Sequence, residues 1–142
     1  MSARANNALH DVHTATNDVL KGYHEMLSRA QPEIQPDLRR LIDLHEGHAG
    51  AQKAELVRLR DAETDDSSLQ GTVNKMVVIL RDWLSNLDRD VLPAVREGEE
   101  SLCAEYDKAL RQSEVAAHPS IGALLRTQRD AISAEIARLP KD

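Results

Sequence analysis

Two histidines three residues apart, His45 and His48, and the glutamates Glu99 and Glu135 are the side chains best suited to chemistry in this sequence. Imidazoles and carboxylates projecting from facing helices are the donors with which helical bundles hold metal ions. Together these four would make an oxygen- and nitrogen-rich site for one divalent ion: iron, manganese or zinc. A second grouping needs no ion. Tyr23, His45, Gln52, Glu99, Tyr106 and Gln128 fall on otherwise apolar stripes, where a polar group without a partner costs about 1–3 kcal/mol. Satisfying one another, they would form a buried hydrogen-bond layer that fixes helix register, with Glu99 accepting from Tyr23, His45 or Gln128.

The layer is the better-supported of the two. A di-metal carboxylate centre takes a Glu from each of two helices and a Glu-x-x-His pair from each of the other two. Here the second helix offers His45-x-x-His48, the last has no His after Pro119, and the inward stripe of the first has no carboxylate. His10 and His13, also i, i+3, read as polar residues flanking a stripe, and His24 and His118 as surface groups. Cys103 is the single cysteine, so no internal disulfide can form, and it reads as a small buried hydrophobe. No Ser-His-Asp order, glycine-rich phosphate loop or Gly-x-Ser-x-Gly element occurs. No catalytic residue is therefore assigned, and a non-enzymatic protein is expected.

What must position these groups is a set of long helices, each with a 3–4 apolar repeat. The first is expected over Asn7 to Ala30, on Leu9, Val12, Thr16, Val19, Tyr23 and Met26. Pro32 and Pro36 make a short turn, and the second runs from Pro36 to about Arg60 with Leu38, Ile42, His45, Ala49, Gln52, Leu56 and Leu59 inward. A short connection forces that pair antiparallel. A shorter helix is expected over 69–86, after the polar break Asp65-Asp66-Ser67-Ser68. Pro93 would cost about 3 kcal/mol inside a continuing helix. A new one therefore starts near Asp90 and reaches Gln112, with Leu92, Val95, Glu99, Leu102 and Tyr106 inward. The last runs from Pro119 to before Pro140 on Ile121, Leu125, Gln128, Ile132 and Glu135.

The helix over 69–86 is long enough to traverse the bundle, at about 1.5 Å per residue. It would let the second and third long helices run parallel. The fold class expected is all-α: a ferritin-like four-helix bundle with an additional helix in the crossover connection, one domain over 1–142 with 1–6 and 140–142 frayed. Counting from Pro36 and Asp90 puts His45 level with Glu99 and Gln52 level with Tyr106, with Tyr23 and the 128–135 stretch at the same height. Gly22 and Gly98 directly precede Tyr23 and Glu99, where helices would approach closely.

Gly22-Tyr23, Ala54-Glu55-Leu56, Ser68-Leu69-Gln70-Gly71 with Arg81 and Trp83, and above all the run from Glu97-Gly98-Glu99-Glu100 to Tyr106 and Leu110 carry a resemblance. They are similar to a bacterial family of ferritin-like four-helix bundles described as domain of unknown function 2383. The resemblance spans nearly the whole chain. It implies the fold that the periodicity predicts, and it implies no activity.

Composition narrows the partners. The formal charge of -6 opposes a phosphate-tracking surface, so no nucleic acid is expected. No stretch approaches the ~20 apolar residues of a membrane span, and Met1 to Asn7 shows no secretory signal, so a cytoplasmic location is expected. A homodimer or a protein partner is expected, through an apolar flank of Leu20, Leu27 and Val57.

Overall fold

The computed structural model describes residues 2–59 and 87–141, and of residues 2–6 the backbone alone. The described chain is helical, without a strand. α1 is Ser2–Leu27, α2 Gln35–Arg58, α3 Leu92–Leu110, α4 the single turn Ser113–Ala116, and α5 Pro119–Arg138. The helix expected over 69–86 lies outside the described residues.

Proline and hydrogen-bonding side chains set the boundaries. Pro36, Pro93 and Pro119 each sit in a first turn, where the missing N–H costs nothing. Asp88 accepts from the Asp90 N–H at 2.9 Å and starts a 3-10 turn, Arg89–Val91, that leads into α3. α1 begins earlier than expected. Residues 2–6, expected to fray, are helical, and they contain no glycine or proline to stop the helix. It also ends earlier, where the Ser28 hydroxyl donates to the Glu25 carbonyl at 2.7 Å. α4 was not anticipated, because four residues are too few to show a period; its Val115 plugs the core beside α1.

The contacts fix the helix directions. Residues 45 and 52 of α2 meet residues 99 and 106 of α3, a separation of 54 both times, so α2 and α3 run parallel. Leu87 is tied into the α1–α2 connection: its N–H donates to Arg29 at 3.0 Å and its carbonyl accepts from the Gln31 N–H at 2.7 Å. Leu59, at the end of α2, and Leu87 therefore lie at opposite ends of the bundle. α5 runs back against α3. Arg96 Nη1 donates to the Ile136 and Leu139 carbonyls at 2.6 and 2.7 Å, closing the C-terminal end of α5.

Leu9, Val12, Val19 and Met26 of α1, Leu38 and Leu41 of α2, Leu92, Val95 and Leu102 of α3, and Ile121, Leu125 and Ile132 of α5 are buried together. Leu38, Leu41, Leu92 and Ile121 crowd around aliphatic neighbours in a core with no phenylalanine. The proposed dimer flank does not form one surface. Leu20 is buried in the core and Leu27 packs partly against it, whereas Val57, at the far end of α2, is 50% exposed.

Gly47 and Gly50 lie in the interior of α2, and a Cβ at either would meet nothing within 4 Å. Replacing both with alanine should raise stability by about 0.5–2 kcal/mol in total, read as a higher urea midpoint at unchanged slope.

Candidate functional site in the bundle core

Tyr23 on α1, His45 on α2 and Glu99 on α3 meet in the middle of the molecule, each 0% exposed. The Tyr23 hydroxyl donates a short hydrogen bond to Glu99 Oε2. His45 Nε2 lies 3.0 and 2.8 Å from Oε1 and Oε2 of the same carboxyl. The Tyr23 and His45 rings stack, centres 6.1 Å apart and planes inclined 21°. Burial and then the Glu99 charge and hydrogen bond push the Tyr23 hydroxyl well above its ordinary value, so it stays a donor.

A second, neutral group sits two turns along α2 and α3. The Gln52 amide nitrogen is 2.8 Å from the Tyr106 hydroxyl, 2.8 Å from Gln128 Oε1 and 3.2 Å from Thr16 Oγ1. Two N–H bonds thus serve three acceptors. Tyr106 donates to Gln128 Oε1 at 2.9 Å, and Gln128 Nε2 donates to the His48 carbonyl at 3.2 Å. Gln52 Oε1 lies 3.1 Å from His13 Nδ1, and Asn17 Nδ2 lies 3.3 Å from His13 Nε2. Both contacts are met when His13 carries its proton on Nδ1. Burial raises the Tyr106 pKa, against the lowering effect of Thr16 and Gln52.

The residues expected in one layer therefore occupy two. Tyr23, His45 and Glu99 form the first; Gln52, Tyr106 and Gln128, with Thr16 and His13, form the second. Gln128 is not beside Glu99, because α5 runs antiparallel to α3 and brings residue 128 opposite 106. Glu135, two turns further on, is not with His45 either. It meets Arg40 Nε at 2.9 Å and Arg138 Nη1 at 3.7 Å near the start of α2. A guanidinium already pairs with that carboxylate, which removes Glu135 from the expected ligand set. His13 was read as a flanking polar group, and the sequence held one signal otherwise: it stands one turn before Thr16 on the inward stripe.

His48 lies one turn beyond His45, ring centres 6.0 Å apart and planes inclined 71°. Its Nδ1 and that of His45 are buried and have no hydrogen-bond partner. Among the described residues no three His, Cys, Asp or Glu side chains gather as a ligand set. A di-metal carboxylate centre does not fit this donor set, since α1 supplies a phenol, α2 imidazoles and α5 an amide. Two surface grooves, of about 320 Å³ beside Asn7, Asp11, Glu105 and Lys108 and about 240 Å³ beside Thr14, Asn17, Lys21 and His24, are not lined by Glu99, His45 or Tyr23. Burial raises the Cys103 thiol pKa, which opposes nucleophile chemistry there.

Two predictions follow from this geometry. Tyr23→Phe removes one of the two donors to Glu99 and should cost about 1–3 kcal/mol in urea unfolding at pH 7. Burial, with the neighbouring His45 charge, lowers His48 from 6.5 to about 4, a shift that Glu99 partly opposes. The unfolded chain therefore takes up that proton first as the pH falls. Stability is complete above about 6.5 and is lost toward about 4. His48→Gln should flatten the urea midpoint between pH 6.5 and 4.5, and an unchanged slope would assign the loss to other groups.

A search of curated proteins found no match to the chain. The family described as "Domain of unknown function (DUF2383)" matches residues 4–112, which takes in α1, α2, α3 and both groups of the core apart from Gln128. The chain is a member of that family.

Proposed function

We propose that this protein is a ferritin-like four-helix bundle without ferroxidase chemistry, acting non-enzymatically through association with itself or with a protein partner. One observation carries the reading. The acid, phenol, amide and imidazole groups of its core are engaged with one another across helices, with Glu99 receiving both Tyr23 and His45. A carboxylate held in this way is a register device, and substrate chemistry would need it open to a substrate. The parallel course of α2 and α3 supports the ferritin-like topology, in which one long connection crosses the bundle.

Light scattering and cross-linking in cells test it together. The expected result is a mass above the 15.8 kDa monomer or a specific cross-linked partner, with ferrous ion oxidised no faster than in buffer. A strict monomer without a partner would sink the association, and protein-dependent iron oxidation would sink the non-enzymatic reading. A second reading, binding of a transition-metal ion in the core, is favoured by the two unpartnered imidazole nitrogens of His45 and His48.

A further inference from the structure

The core network leaves two of its own atoms out. Every hydrogen-bonding atom of Glu99, Gln52, Tyr106 and Gln128 is buried beside a partner, yet Nδ1 of His45 and Nδ1 of His48 have none. They stand on one face of α2, and His45 is 0% exposed. A buried polar atom left bare is costly, and two on rings whose centres are 6.0 Å apart point to a third body that both could meet.

The His45 ring is arranged as a metal ligand is. Histidines that bind metal through one nitrogen hold the other N–H on a carboxylate, which fixes the tautomer and makes the free nitrogen more basic. Glu99 does this at His45 Nε2, and the stacked Tyr23 ring holds the imidazole plane. Two imidazoles sharing one ion at about 2.0–2.1 Å per bond would have ring centres about 5 Å apart at a tetrahedral angle and about 6.4 Å apart in line. The observed 6.0 Å lies toward the linear end.

Ligand number then selects the ion. Zinc takes four ligands, and magnesium and manganese take six. No third His, Cys, Asp or Glu joins these two among the described residues. Monovalent copper, a closed-shell ion content with two nitrogens in line, needs no more.

We propose that His45 Nδ1 and His48 Nδ1 bind one monovalent copper ion between them, with Glu99 and Tyr23 as positioning residues behind His45. This rests on the metal-binding reading and names its ion and its ligand atoms. The step is simple coordination, with no electron transferred.

The test uses the full chain carrying Cys103→Ser, because a lone thiol also takes cuprous ion. Anaerobic titration against a coloured copper(I) chelator should show one equivalent bound. The affinity should fall at least 100-fold in His48→Gln, a half-buried position. In the chain with both histidines present, their imidazole Nδ1 nuclear resonances should shift with copper, which keeps the test valid if His48→Gln fails to fold. Zinc chloride under the same conditions should bind at least 100-fold more weakly. Zinc held equally well through the same two histidines would overturn the copper assignment and leave the metal-binding reading standing. Copper retained by His48→Gln with unshifted imidazole signals would overturn the site. No uptake of either metal would overturn site and reading together, leaving a bridging water as the third body.

Discussion

A carboxyl group sealed in the centre of a small helical bundle governs the rest of this structure. Left bare, the Glu99 carboxylate would cost several kcal/mol to remove from water, more than most single contacts return. It is tolerated because Tyr23 and His45 meet it from two other helices. Aliphatic stripes can slide past one another by a turn with modest loss, since leucine packs against leucine at several heights. A buried acid cannot slide, because one turn of displacement would strand it from both donors. The hydrogen bonds therefore specify the relative heights of α1, α2 and α3, and the surrounding apolar side chains supply the burial.

The neutral group two turns away repeats the constraint with different chemistry. Gln52 and Tyr106 lie as far apart in sequence as His45 and Glu99, so the parallel pair is pinned at two heights. Amides suit that position because they both donate and accept, and Gln128 uses this to reach Tyr106, Gln52 and the His48 carbonyl at once. α5 joins this group through Gln128, and its neighbour Arg129 pairs with Asp107 of α3 beside it. The far end of α5 is fastened by Arg96 on two terminal carbonyls and by the Arg40–Glu135 pair.

Much of this was legible in the sequence because helical period decides which residues face inward. Polar residues on those stripes were visible as exceptions, and three prolines marked where helices begin, so His45 could be matched to Glu99 and Gln52 to Tyr106 by counting. Period does not give the height at which a residue on an antiparallel helix arrives, which is why Gln128 is expected beside Glu99 and stands opposite Tyr106. Nor does it show competitors: Arg40 reaches Glu135 from a position that reads as solvated surface. Leu20 lies off the main stripe, and its burial follows from α1 being covered over most of its circumference. Ring orientation is wholly absent from sequence, so neither unpartnered Nδ1 could be foreseen.

Those two nitrogens separate a structural role for the layer from a functional one. Fixing register requires only that Glu99 be satisfied, and one nitrogen of His45 does that. A leucine at position 48 would serve the apolar boundary as well as histidine does, without a bare nitrogen. Retaining an imidazole there, beside a second whose other face is already held by a carboxylate, adds cost without adding register. A network built only to align helices would close on itself, as the Gln52 group does through His13 and Asn17. The Glu99 group stays open at one edge, and that edge consists of two unpartnered imidazole nitrogens.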